Sequence, residues 1–350
     1  MSIPVAESPS AAARGLRRGP GARLAALVGA LALLGAASAV SLVVGARPVP
    51  VDLALHILGG GDASVQDVDA VLGLRLPRTV AAILVGAALG AAGALIQALT
   101  RNPLADPGIL GVTQGSAFAV AMGVALLGLS SPVEHAWVAL VGAGVATTIV
   151  MAIGSVGRGG GDPVRIVLAG VAIGAVLAGI VAGLRLTDPR TFSVLQVWES
   201  GRLDGRGWEV VVPVLVPLAL GLLLAFGLSF ALDVLALGDD LATALGSRVA
   251  VVRTLTVLAI ALLAGSATAV AGPLAFLGLM MPHVARWLAG PRNVWIVVLS
   301  AVLAPSLLIL ADVLARVALP NGELPVGVVL AFVGAPVLIA LARRRLGGRS

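Results

Sequence analysis

Few residues in this chain could do chemistry, and those few say mostly what chemistry to exclude. Asp312 and Arg316 stand four apart in an apolar run, a spacing that lets a carboxylate and a guanidinium pair on one helix face. They lie near the end of that run, and no carboxylate sits near the middle of one, where a proton relay would need it. His56, His135 and His283 are scattered and have no metal-ligand spacing, so no metal site is expected. Cysteine is absent, which removes thiol catalysis, disulfides and cysteine-held metals. Lysine is absent as well, and all 23 basic residues are arginine, so neither a Walker A loop nor a Schiff base can form. The chain is expected to have no catalytic residues and to bind no cofactor of its own.

The residues that invite a positive reading lie in Leu232 to Val249. Asp233, Asp239, Asp240 and Arg248 keep this stretch out of hydrocarbon, although apolar runs flank it. Gly238 breaks the preceding segment, Asp239 or Asp240 can cap a short helix, Leu241, Ala242 and Leu245 can share a face, and Gly246 can end the helix in a left-handed conformation. Such a helix suits a groove on a soluble partner. The alternative is a solvated loop with one incidental helical turn.

The elements that position these residues follow from composition. The chain has 350 residues, is 59% hydrophobic and 11% charged, and has a mean hydropathy of +1.08. Soluble domains carry about 25% charged residues, so the fold class expected is an all-α polytopic membrane protein. Apolar runs long enough for a bilayer occur near 24–45, 78–99, 108–128, 134–155, 164–184, 209–231, 251–270, 272–288, 294–317 and 325–342. About ten transmembrane helices put both termini on one side. Both ends are arginine-rich, which makes that side the cytoplasm. Residues 1–23 read as a disordered tail, 24–345 as one membrane domain with the 232–249 loop in the cytoplasm, and 346–350 as a second tail. The pI near 11.4 does not mark a nucleic-acid binder, because the arginines are spread over the loops with almost no aromatic interleaving.

Three further stretches carry information. In Gln97 to Leu110, Pro103 and Pro107, preceded by Asn102 and Asp106, define a turn, and Gln97 must face protein or water. Between Arg185 and Trp208 the middle, Phe192 to Leu203, is amphipathic enough for a short helix with Trp198 and Trp208 at interface depth, as an anchor or as an outer gate. Gly86, Gly90 and Gly93, and Gly170 and Gly174, form small faces for close helix packing or for lining a path.

Arg75 to Ser116, Leu235 to Gly246, Gly272 to Arg286, Ala311 to Arg316 and Glu323 to Ile339, in that order, resemble the permease subunits of type II ABC importers for iron-siderophore complexes, haem and cobalamin. The resemblance implies ten spans per subunit in a bacterial cytoplasmic membrane and a second permease subunit, the same chain or a paralogue, around a central path. It also implies two ATPase subunits that carry the ATP and Mg, and an extracytoplasmic binding protein. By match of motif, Asp239, Asp240, Leu241, Ala242, Leu245 and Gly246 would couple to the ATPase. Arg75, Arg78 and Arg316 would receive acidic residues of the binding protein. Gln97, Asn102, Pro103, Trp198, Gly201 and Arg202 would line or gate the path. Arg202 departs from the Ser common in the family at that place. The LTDPRTFSVLQVW stretch resembles catecholate-siderophore permeases, so ferric siderophore import is the function implied, with cobalamin or haem as alternatives. A secondary transporter, the rival class, would need inverted repeats, broken helices and mid-span charges. The sequence shows no clear case of these.

Overall fold

The computed structural model describes residues 19–45, 49–155, 163–319 and 322–346, with side chains to 339. The tail arginines Arg14, Arg17 and Arg18, the loop arginines Arg47 and Arg158, and residues 347–350 lie outside the described residues. The fold is all-α, and no strand occurs among the described residues. In chain order the helices are α1 (Pro20–Val43), α2 (Val51–Leu58), α3 (Val65–Val68), α4 (Leu76–Thr100), α5 (Val112–Leu127), α6 (Pro132–Gly154) and α7 (Pro163–Thr187). There follow α8 (Pro189–Glu199), α9 (Trp208–Leu235), α10 (Asp239–Ala244), α11 (Val249–Ala271), α12 (Leu277–Ala289), α13 (Asn293–Val317) and α14 (Val326–Leu346). A π-helical turn, Asp69–Arg75, joins α3 to α4, and a 3-10 turn, Pro107–Leu110, precedes α5.

Each of the ten expected runs carries a helix, and among the described residues seven helical segments are long and apolar enough to cross a bilayer. They are α1, the continuous Val65–Thr100 segment, α6, α7, α9, α11 and α13. Two of the other three are shorter. α5 begins at Val112 because Gly111, at φ +78°, ends the preceding 3-10 turn. α14 runs Val326–Leu346, with side chains described to Ile339. The run expected over 272–288 is broken: Gly272 to Phe276 is not helical, and α12 has 13 residues, about 20 Å of rise. Gly272 at φ +72° leaves the helical region, Pro273 has no N–H to give, and Phe276 at φ +68° sets the entry to α12. The sequence parts the runs 251–270 and 272–288 at Gly272 and Pro273, but it does not show that the non-helical stretch continues through Leu274, Ala275 and Phe276, because these side chains are apolar or small. α1 also starts at Pro20, inside the expected tail, where proline at the first helical position needs no N–H partner.

α4, α13 and α11 form the centre of the bundle, with 78%, 61% and 56% of their apolar windows buried against 17% to 33% in the other four long segments. Glycine makes this possible. A Cβ on Gly86 would lie 2.5 Å from Pro305 Cα, one on Gly90 2.2 Å from the Ser300 carbonyl, and one on Gly93 1.8 Å from the Gly278 carbonyl. That face therefore packs α4 on α13 and α12 rather than lining a path. On α7, Gly170 abuts Ile109, whereas Gly179 and Gly183 meet nothing and stand beside the exposed Val171, Val176 and Ile180.

Polar ties divide the bundle into two ends. At one end, Arg101 and Arg253 reach Asp239, the Asp233 carboxylate accepts from the Asn293 N–H at 2.9 Å, and Arg23 donates to the Ala289 carbonyl at 3.0 Å. At the other, Arg75 and Arg316 donate to the end of α1, and Asp312, Arg78 and Glu323 pair in line with Arg316.

Candidate coupling and gate sites

At the first end, α10 stands out between α9 and α11. Leu237, Leu241 and Leu245 are half exposed or more, while Ala242 is fully buried. The face expected to join Leu241, Ala242 and Leu245 is thus divided: Ala242 faces the bundle and the two leucines, one helical turn apart, face outwards. Neither aspartate caps the helix. Gly238, at φ +109°, occupies the capping position without a side chain, and Asp239 instead accepts from Arg253 at 2.7 Å and from Arg101 at 3.1 Å. Asp240 is exposed. Gly246, at φ +84°, follows the helix in the left-handed conformation expected of it.

Beside α10 lies the turn after α4. The Asn102 Oδ1 accepts from the Leu104 N–H at 3.0 Å and the Asp106 Oδ1 from the Gly108 N–H at 2.8 Å, which are the side-chain turns that precede the two prolines. Burial pushes the Asp106 carboxyl up from its ordinary value, against the pull of that bond. Asn102 is exposed and Pro103 partly so. Gln97 is buried: its Nε2 donates to the Leu279 carbonyl at 3.1 Å and its Oε1 accepts from Arg286. The amide that the resemblance puts on a path is here a cross-link between α4 and α12.

At the opposite end, Arg78 forks onto Asp312 at 2.8 and 3.0 Å and reaches Glu323 at 2.7 Å. Arg316 pairs with Asp312 and donates to the Ser41 carbonyl at 2.8 Å. Arg75 donates to the carbonyls of Leu42 at 2.9 Å and Val43 at 2.8 Å, the orphan acceptors at the end of α1. The structure brings all three expected arginines together, but Arg75 and Arg316 are buried and bonded internally. With Arg206, Glu209 and Glu323 they wall an open cavity of about 590 Å³, which is what they offer to anything outside.

Above this cavity lies the loop that contains α8. Its helix starts at Pro189, earlier than the sequence indicates, because Asp188 caps it by accepting from the N–H groups of Thr191 at 3.0 Å and Arg190 at 3.2 Å. Trp198 is buried against its own chain, while Trp208 is exposed. Past α8 the backbone is clasped on both sides: the Arg202 N–H donates to the Ala271 carbonyl at 2.9 Å, and the Gly327 N–H donates to the Gly201 carbonyl at 3.1 Å. Gly201, at φ +71°, has no room for a side chain, since a Cβ would lie 2.7 Å from Leu274 and 2.9 Å from the Pro273 carbonyl. Arg202 folds onto Asp204 at 2.9 Å, and this bond and charge hold the Asp204 carboxyl below its ordinary value although burial opposes it. The clasp thus ties the α8 loop to the break before α12 and to the start of α14.

Residues 27–344 match the profile of the FecCD transport family. The chain belongs to the FecCD transport family. This FecCD chain is 50% identical over 326 residues to the ferric enterobactin transport system permease protein FepD of Escherichia coli K12, covering 93% of the chain and 97% of that relative. It is 43% identical over 279 residues to the iron(3+)-hydroxamate import system permease protein FhuB of Bacillus subtilis 168, covering 79% of the chain and 71% of that relative. Among solved structures, an inward-facing conformation of a metal-chelate type ABC transporter superposes with a TM-score of 0.80 at 25% identity, over 92% of this chain and 99% of the other. The FecCD chain is accordingly a multi-pass membrane protein of the ABC permease fold.

Sequence reasoning missed four residues of these sites in the FecCD chain: Arg101, Arg253, Glu323 and Arg206. Arg253 carried a signal, a charge two residues inside an apolar run that can be tolerated only with a partner. Arg206 carried none, because only the fold brings it to the cavity, where burial lowers the pKa of its guanidinium.

Proposed function

We propose that this chain is a permease subunit of an ATP-driven importer that moves a ferric siderophore across the bacterial cytoplasmic membrane by alternating access. The observation that carries the reading is the 50% identity, over nearly the whole of both chains, to a permease of a ferric enterobactin transport system. In this reading the α10 end faces the cytoplasm and two ATPase subunits, which hold the ATP and Mg. Leu237, Leu241 and Leu245 are the surface they engage. The Arg316 end faces the extracytoplasmic binding protein, for which Arg75, Arg78 and Arg316 wall the cavity. A second permease subunit, identical or paralogous, completes the path along the exposed side of α7. The chain makes and breaks no bond. ATP binding moves the coupling helix, the packed core of α4, α11 and α13 shifts, and the path opens on one side at a time. A path of Ala, Val, Leu and Gly suits a bulky chelate, because weak contacts permit release.

The test is uptake of radiolabelled ferric enterobactin into proteoliposomes that contain this permease, its neighbouring ATPase and its binding protein. ATP-dependent accumulation is expected. ATP hydrolysis stimulated by the binding protein without iron uptake would move the cargo to cobalamin or haem, and failure to bind any ATPase would remove the importer reading.

A further inference from the structure

α10 is held to the rest of the chain by very little. Of its six residues only Ala242 is buried, no side chain caps its first turn, and a helix of this length has no stability of its own. The Ala242 methyl can be pushed against the bundle, but an apolar contact gives no directional hold when the helix is drawn sideways or away. One polar group reaches back from α10, the Asp239 carboxylate. It takes the Arg253 Nη2 at 2.7 and 3.0 Å and the Arg101 Nη2 at 3.1 Å.

The two anchors lead to different parts of the bundle. Arg253, with a side chain 9% exposed, belongs to the start of α11, which packs on α4, α6 and α9. Arg101 ends α4 in a left-handed conformation, φ +50°, that a residue with a Cβ adopts rarely, and such conformations persist where the surroundings hold them. The same Arg101 Nη2 donates to the Leu235 carbonyl at the end of α9, at 2.6 Å. One carboxylate on a six-residue helix is therefore joined, directly or through Arg101, to the ends of α4, α9 and α11.

We infer that Asp239 is the strut that passes movement of α10 to α4, α9 and α11, with Arg253 and Arg101 as its anchors, and that it is not part of the surface that meets the ATPase. Charge-assisted bonds resist displacement in every direction, which the Ala242 contact does not. Asp239, Arg253 and Arg101 are positioning residues for coupling, and Leu237, Leu241 and Leu245 are left free for the partner. The inference rests on the importer reading above.

The experiment uses the full chain reconstituted with its ATPase and binding protein, and reads ferric enterobactin imported per ATP hydrolysed. Asp239→Asn and Arg253→Gln each lower this ratio on the order of tenfold, within the usual range of coupling between sites. The double variant falls no further than Asp239→Asn, because that change already removes the contact with Arg253. Asp239→Glu keeps most of the ratio. Arg253→Gln alters a buried site and can weaken folding, so Arg101→Gln at the half-exposed anchor is the second variant, and a drop of the same sign is expected there. An unchanged ratio in Asp239→Asn, or losses that multiply in the double variant, overturns the strut. Loss of ATPase capture with a normal ratio in the complexes that remain also overturns it, since Asp239 would then lie against the ATPase. A wild-type assembly without ATP-driven import removes the importer reading itself, a result that is read before any variant.

Discussion

Asp312 and Arg316 meet at 2.5 Å, four residues apart on α13, with both side chains almost wholly buried. Asp312 also takes the fork of Arg78 from α4, so one carboxylate bridges two guanidiniums, and Glu323 supplies the second negative charge at Arg78. Breaking a buried pair from one side leaves uncompensated charge. Asp312→Ala is expected to destabilise the chain by roughly 3–5 kcal/mol, the usual cost of such a break. Thermal unfolding in detergent measures it, and a loss below about 1 kcal/mol, the level of an exposed pair, would mean that water reaches the cluster.

The clasp around the α8 loop depends on glycine at positions of positive φ. Gly272→Ala would place a Cβ 2.2 Å from the Trp198 carbonyl on a backbone at φ +72°. Separation of the loop from the end of α11 is expected, read as faster trypsin cleavage at Arg202 and Arg206 and as loss of uptake. Protection equal to wild type would show that the clasp yields without opening.

Leu241 and Leu245 project from α10 and touch little of their own chain. Changing both to Asp should leave thermal stability within about 0.5 kcal/mol, as for surface sites in general. Capture of the ATPase in a pull-down should be lost. Normal capture would place the partner elsewhere.

Asp188 caps α8 and supplies a pH dependence. The Thr191 hydroxyl, then the N–H groups of Thr191 and Arg190, hold its carboxyl below the ordinary value of 3.8. A depressed carboxylate contributes its stabilisation fully above the unfolded value and loses it as pH falls through the folded one. In a variant whose only tryptophan is Trp198, emission should stay constant above about pH 5 and change below about pH 4. Asp188→Ala should lack that transition, and a transition that persists would belong to another group.

What the sequence made legible was set by polarity and by glycine. The helices at the ten apolar runs, the solvent-exposed α10, the left-handed Gly246 and the pairing of Asp312 with Arg316 all follow from residue type and spacing. The parting of two runs at Gly272 and Pro273 follows as well, but its extension through Leu274, Ala275 and Phe276 does not, because hydropathy is blind to backbone geometry when every side chain is apolar. The role of Asp239 was misread for a related reason: capping is a local rule, whereas its partners lie 138 and 14 residues away in the chain. Arg75, Arg78 and Arg316 were legible as charges but not as buried ones, since their burial goes with Asp312, Glu323 and the carbonyls of α1. Relatives tell which family the chain belongs to, and the geometry tells which of its charges face inwards.

The interruption before α12 also gives this permease a built-in reporter. Amides in the long helices are locked by hydrogen bonds within the helix and exchange with deuterium only when that helix opens. Leu274, Ala275 and Phe276 lie between two helices and outside the ladder of either. Their exchange is governed by contact with solvent rather than by unfolding, so mass spectrometry of a peptide spanning 272–276 would read, without any label, how solvent contact at the junction of α11 and α12 changes during a transport cycle.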